Sequence, residues 1–246
     1  MQRSRTASKL AALTLVSTLT LAAAESGAAL AGTSDVISKM IERDGQRQAA
    51  LNGYTAQRRY TLENTRLNKR AEMLVRMTVM ADGTKEFDIV SESGSGAVRK
   101  RVFRKMLEAE IEASRPALRD RSRITPANYE FRLVGTDTIE GRPAYVLELT
   151  PRTENKYLIR GRIWVDTADY AIAHIEGSPA RNPSLWTRSV HFTHRYSKSG
   201  AFWFAASNRS VTEVLIFGAT NLNIEYFDYV PNLTAPAEPN AASAAK

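Results

Sequence analysis

The chain has no cysteine. That excludes disulfides, thiolate catalysis, cysteine-ligated metals and a lipidated cysteine, so stability in an oxidising compartment has to come from packing. Histidine is nearly as scarce, with His174, His191 and His194 the whole supply. His191 and His194 stand three apart on a predicted strand, a spacing that sends side chains to opposite faces and works against a shared metal. His174 is isolated. There is no nucleophile elbow and no paired-carboxylate motif. Gly94 and Gly96 precede a predicted helix, but without the strand–helix–strand setting of a phosphate loop they read as a flexible joint. The expectation is a protein that is not an enzyme, with no catalytic residue, no metal and no cofactor.

Long apolar runs are also missing, with one exception. Arg3, Arg5 and Lys9 open the chain, Leu10 to Ala24 follow as an apolar stretch, and Ala29-Leu30-Ala31 supplies small residues. The run is shorter than the roughly 20 residues of a membrane-spanning helix. Its flanks are those of a cleaved secretory leader, expected at residues 1–31. Residues 233–246 are rich in Ala and Pro with almost nothing bulky, and are expected to be disordered. One folded domain is expected over 32–232, soluble and without a lipid anchor.

What the chain does have is positive charge, 34 Lys and Arg against 26 Asp and Glu, a formal +8. A basic surface suits an anionic membrane or an acidic protein partner. Export argues against nucleic acid.

Two helices and about ten strands are legible. Ser34-Asp35 reads as the cap of a helix to about Leu51, with Val36, Ile37, Met40 and Ile41 as its apolar stripe. Strand alternation follows at Tyr54–Leu62, Met73–Val79 and Phe87–Ile89, with Asp82-Gly83 as a hairpin signal. A second helix is expected over 97–113, its apolar face made by Val98, Val102, Phe103, Met106 and Leu107, with Pro116 ending it. Strands resume at Tyr129–Leu133 and Tyr145–Leu149, then at a hairpin over 161–177, at Val190–Tyr196, in one long strand from Ala201 to Phe217, and from Leu222. Short turns join most of them, so the sheet is an antiparallel meander.

Widths then matter. Ten strands about 4.8 Å apart span roughly 48 Å. A helix with its side chains is about 10–12 Å across. Two helices cannot cover such a sheet if it is flat, so the fold class expected is α+β, a curled, unclosed antiparallel barrel with a helical lid or plug on its concave face. Whether side chains fill that interior or leave a ligand slot stays open at this point.

The segment I-W-V-D-T-A-D-Y-A-I-A-H-I at 163–175 resembles the central hairpin of the outer-membrane lipoprotein-sorting carriers of the LolA type, and G-R-P-A-Y-V-L-E-L-T-P at 141–151 resembles the strand before it. The order helix, three strands, helix and long meander is similar across most of the chain. The resemblance implies a periplasmic protein whose half-barrel holds acyl chains of lipoproteins or another lipid under a helical lid. A non-carrier relative that senses lipoproteins for signalling, or recruits a protein partner in assembly, fits it equally. A monomer is expected.

Individual residues sharpen this. Met73, Val75, Met77, Phe103, Met106, Tyr129, Phe131 and Leu147 share the inward face and are the candidate ligand contacts, with core packing as the competing role. Glu110 falls inside the apolar face of the second helix, where a carboxylate has to be paired or protonated. Its partner is an arginine, on the sheet or within Arg115–Arg123, and the pair is either structural or a latch that holds the lid. Arg99, Lys100, Arg101, Arg104 and Lys105 crowd the same helix and read as a solvated face or as a docking surface for anionic head groups or an acidic partner. Trp164 sits in register with Arg160, Arg162 and Asp166. It is expected to stack on those arginines or to lie under the loop 178–186.

Overall fold

Period-two patterning runs through most of the chain, and the computed structural model turns it into one sheet. The structure describes residues 32–155, 157–182, 187–215 and 218–233. The expected leader, and the tail from residue 234, lie outside the described residues.

Helix α1 (Thr33–Ala49) comes first. It begins one residue before Ser34, with Gly32 at the N-cap and no side-chain capping bond, so Ser34 is inside the first turn and not the cap. Three strands follow: β1 (Leu51–Asn64), β2 (Lys69–Val79) and β3 (Lys85–Gly94). Helix α2 is then built in three parts: Gly96–Val98, a π turn at Arg99–Phe103, and Arg104–Ser114. Pro116 ends it by opening a separate helical turn, α3 (Pro116–Arg119), where its missing N–H costs nothing. Seven strands complete the chain: β4 (Tyr129–Ile139), β5 (Arg142–Pro151), β6 (Ile159–Asp166), β7 (Ile172–Pro179), β8 (Thr187–Ser199), β9 (Phe202–Val214) and β10 (Gly218–Leu233).

The ten strands form a single sheet in the order β3-β2-β1-β10-β9-β8-β7-β6-β5-β4, every neighbour antiparallel. First and last strands pair inside the sheet, third and fourth in that order, with Tyr60 opposite Ile224. That leaves β3 and β4 as the free edges, and the sheet curls without closing. The segment carrying α2 and α3 joins one edge to the other. The long strand expected from 201 to 217 is β9, shorter than expected. It ends at Val214, and Gly218, in the left-handed region at φ 68°, turns the chain into β10.

Packing divides the concave face between the helices. Val36 and Met40 of α1 are buried with Tyr129, Leu147, Leu149, Ile163, Val165 and Ile175, over strands β4 to β7. Phe103 and Leu107 of α2 are buried with Tyr60, Leu62, Met73, Val75 and Ile224, over β1, β2 and β10. The two clusters are separate, as the width argument requires. Each helix covers the strands beneath it and leaves a gap towards its neighbour.

The outer face has its own small cluster, which places Trp164. The indole is 8% exposed and packs with Ala144, Val146 and Ile139. Its N–H donates to Asp137 Oδ2 at 2.9 Å, and His174 meets it edge-on at 4.7 Å. Among the described residues no arginine stacks on it, and residues 183–186 of the loop lie outside the described residues. Val146 on β5 and His174 on β7 are its direct cross-strand neighbours, and they are close enough to take the ring first.

One close approach in the hairpin that bears the resemblance is set by glycine. Gly161 and Gly177 face each other across β6 and β7, and a Cβ on Gly161 would stand 2.0 Å from the Glu176 carbonyl oxygen. Gly161→Ala is therefore expected to push the strands apart and lower the melting temperature by on the order of 5 °C in thermal unfolding.

Candidate functional site

The gap between the helices is a cavity. It has two adjoining lobes of about 400 and 490 Å³, which share Asp44, Arg47, Lys85, Arg119, Tyr196 and Trp203 on their walls. These volumes are in the range of small-molecule sites. The first lobe has an aromatic wall from β1, β8, β9 and β10. Phe204 stacks on Tyr229 at 4.4 Å, Tyr54 leans on both, and the Tyr229 hydroxyl donates to the Ala205 carbonyl at 2.8 Å. The second lobe runs under α1 past Met40, Ile41, Ile172 and Ile175.

The polar centre of the first lobe is an ion triad. Arg58 sits on the inward face of β1 and is 3% exposed. Its guanidinium donates two bonds to Glu110 of α2, at 2.7 and 2.9 Å, and a third to the Tyr60 hydroxyl at 3.2 Å. Lys85 Nζ, at the start of β3, donates to the same carboxylate at 2.7 Å. Phe87 and Tyr226 flank the guanidinium at 5.1 and 4.7 Å from their ring centres, a cation–π sandwich. Burial acts to raise the Glu110 pKa, but Lys85 and Arg58 overcome it and hold the carboxyl at about 2. Burial acts to lower the Arg58 pKa, and Glu110 more than reverses this, so Arg58 is held charged. The partner of Glu110 is thus on the sheet, not in the stretch 115–123. The triad ties the C-terminal half of α2 to β1 and β3.

His194 borders the same lobe, stacked on Tyr196 at 4.5 Å and Tyr226 at 5.9 Å. Burial, then the charges of Arg58 and Lys85, push its pKa down to about 4. It is neutral in the folded state at pH 7, and its buried Nε2 has no hydrogen-bond partner. Between its ordinary value of 6.5 and about 4, the unfolded chain takes up a proton that the folded chain refuses. Stability is expected to fall as pH drops through that window. Melting curves of His194→Gln should lose this part of the pH dependence. His191, by contrast, is exposed on the other face, 3.3 Å from Glu176.

A second polar network holds one rim of the second lobe. Asp169, in the β6–β7 turn, accepts from Trp203 Nε1 at 3.0 Å, Lys198 Nζ at 2.7 Å and Arg142 at 3.3 Å. Its backbone carbonyl accepts from Arg47 of α1 at 2.9 Å. Asp166 binds Arg142 at 2.7 Å and the backbone N–H groups of Ala168 and Asp169. The hairpin whose sequence carries the resemblance is therefore the clamp that fixes the end of α1.

The eight candidate ligand residues stand elsewhere. Met73, Val75, Met77, Phe103, Tyr129 and Leu147 are 0–1% exposed inside the packed clusters, and Met106 and Phe131 are partly buried against them. None borders either lobe. They face inward as their parity requires, but α1 and α2 share the clusters of all but Met77, which packs instead behind Tyr54 and Tyr229 of the aromatic wall. The cavity is lined instead by Tyr54 and Arg58 of β1, by residues of β8 to β10 and by the polar ends of the helices. Alternation alone offered a signal for two of these: Arg58 shares its face with Tyr54, Ala56, Tyr60 and Leu62, and His194 shares its face with Phe192 and Tyr196. A lone charged or titratable residue on an apolar face is worth following.

The basic stretch of α2 divides in two. Arg99 and Arg104 both reach Glu92 of β3, at 3.4 and 3.1 Å, across the π turn. Lys100, Arg101 and Lys105 are exposed and have no carboxylate within 4 Å among the described residues. Gly94 is no loose joint: its φ is 76°, a Cβ there would meet the Arg70 carbonyl at 2.3 Å, and the next N–H, of Ser95, donates to that carbonyl at 2.8 Å. No described helix is long and apolar enough to cross a membrane.

Among protein-family models none matches the sequence, and no curated protein matches it. Solved structures do. A DUF1329 family protein from Desulfovibrio piger is similar over 81% of this chain and 93% of its own, with 13% identity and a TM-score of 0.44. An outer-membrane lipoprotein-sorting protein domain from Vibrio parahaemolyticus is similar over 82% and 94%, with 15% identity and a TM-score of 0.41. A LolA superfamily protein from Nitrosomonas europaea is similar over 81% and 93%, with 13% identity and a TM-score of 0.40.

Proposed function

We propose that this is a non-enzymatic periplasmic binding protein that carries or senses the acyl chains of lipoproteins or of another lipid, working as a monomer. The observation that carries the reading is the cavity itself. Two helices each seal part of a curled sheet, and between them Tyr54, Phe204 and Tyr229 form an aromatic wall that borders the cavity. Apolar surface of that kind, walled on several sides and fixed by a polar clamp at Asp169, suits an aliphatic chain.

Glu110 is the latch of this reading. It fastens α2 to Arg58 and Lys85 at the cavity wall, and releasing it frees the helix that covers Met73 and Val75. A ligand larger than the resting cavity is accommodated by lifting α2 and reaching the residues beneath it. Uptake of a neutral hydrophobic dye such as N-phenyl-1-naphthylamine tests this. Glu110→Gln is expected to bind it several-fold more tightly than wild type, and equal binding by the two proteins counts against the latch.

Lys100, Arg101 and Lys105 give the same helix a surface for anionic head groups. Co-sedimentation with vesicles of phosphatidylglycerol is expected to fall steeply between 50 and 300 mM salt and to weaken about tenfold when all three are changed to Gln. Binding that ignores salt contradicts this role.

A further inference from the structure

We infer that the ligand of this cavity is an anionic amphiphile, whose carboxylate or phosphate takes the place of Glu110 on Arg58 and Lys85 while its aliphatic tail lies along the aromatic wall. The inference rests on the acyl-chain reading above and adds the chemistry of the head group.

The charge around the cavity is lopsided. Five cations border it (Arg47, Arg58, Lys85, Arg119 and Arg123) against two carboxylates, Asp44 and Glu110. Asp44 lies 3.8 Å from Arg123, and Glu110 is shared by Arg58 and Lys85. Arg47 and Arg119 have no carboxylate within 4 Å among the described residues. They donate to the backbone carbonyls of Asp169 and Asp82. Arg58 still has a buried Nε–H without an acceptor. A cavity meant for a neutral chain has no use for this surplus, which costs desolvation. An anion entering it is drawn by the field of all five.

The exchange is chemically even. Glu110 already shows what the site holds: a carboxylate gripped by a guanidinium fork at 2.7 and 2.9 Å and by an ammonium at 2.7 Å. A ligand carboxylate or phosphate satisfies the same donors, so Arg58 is never left buried and unpaired. Glu110, 31% exposed at its side chain, turns to water. The helix that bears it is then released, so binding of the head and opening for the tail are one event.

The test is displacement of N-phenyl-1-naphthylamine from the whole mature protein by oleate, oleyl phosphate and oleyl alcohol, which share one tail. One or both anions are expected to displace the dye at concentrations at least tenfold below the alcohol, and the more effective one assigns the head group. In Glu110→Gln, which lacks the internal competitor, release of α2 is expected to tighten binding of all three compounds, and that of the anions about fivefold more than that of the alcohol. Arg119→Gln, at the mouth and outside the packed core, should reduce the anion preference several-fold, while Lys69→Gln, exposed at the start of β2, should leave it as in wild type. Equal displacement by all three compounds, or weaker anion binding in a folded Glu110→Gln, overturns the head-group exchange and leaves acyl binding standing. Failure of all three to displace the dye overturns both.

Discussion

Arg58→Ala is expected to lower the melting temperature by about 10 °C. The substitution removes the buried partner of Glu110, two cation–π contacts and the bond to Tyr60 at once. Breaking one side of a buried ion pair costs roughly 3–5 kcal/mol, and each kcal/mol moves a domain of this size by about 2–4 °C. Lys85 remains on the carboxylate and keeps the loss from being larger. Replacing both partners, Arg58→Met with Glu110→Met, should recover part of the loss, because the only charge left without its partner is Lys85, whose side chain is 28% exposed. A single variant that melts within about 2 °C of wild type contradicts the description of this pair as the bolt between helix and sheet.

The same pair fixes a pH window. Glu110 has its pKa lowered from 4.5 to about 2 in the folded state. A lowered carboxyl pKa means stability that is fully present above about pH 4.5 and lost as pH falls towards 2. His194 gives the separate loss between 6.5 and about 4 already described. Acid unfolding of wild type should therefore steepen below pH 4.5, and Glu110→Gln should remove that lower step only.

Phe103→Ala is the second large effect. Phe103 is wholly buried under the π turn of α2, its ring 5.9 Å from that of Tyr60. Truncation of a buried phenylalanine costs roughly 3–5 kcal/mol, about 10 °C here, because the void is not refilled. Its consequence for function has the opposite sign. With the largest hydrophobic anchor gone, α2 is held by Leu107, the Glu92 ion pairs and the Glu110 triad, and uptake of a neutral dye should increase several-fold. Phe103→Leu, which keeps most of the volume, should change both by much less. A destabilised Phe103→Ala that takes up no more dye than wild type shows that α2 is a fixed plug and not a lid.

The curled sheet was legible because its cause is local. Alternation at β1, β2, β4, β5 and β8 names the inward face residue by residue, and the shortage of helices forces the curl. The turns at Glu140-Gly141 and Ser199-Gly200 were legible from turn chemistry, and both glycines have positive φ. The boundary between β9 and β10 was placed late, at Phe217 and Leu222 and not at Val214 and Gly218, because Val214 to Phe217 carries no Pro or Asn and only Gly218 marks the turn. The site was half legible. Glu110 stood out as a carboxylate on an apolar stripe, but its partner depended on which strand lies under α2, a long-range fact. For the same reason Met73 of β2, which α2 covers, was read as cavity lining. Parity tells which way a side chain points, not whether a helix has been laid across it. Trp164 failed in a related way, since its neighbours Val146 and His174 are fixed by strand register.

Native mass spectrometry of the mature protein purified from its own host bears most directly on the central claim that the gap between the helices holds a lipid chain. The predicted result is a bound species of near-stoichiometric amount, released by organic solvent as a molecule with at least one acyl chain, and absent when the aromatic lobe is filled by Ala205→Trp. A protein that emerges empty, and that takes up neither oleate nor oleyl alcohol when they are supplied, contradicts it.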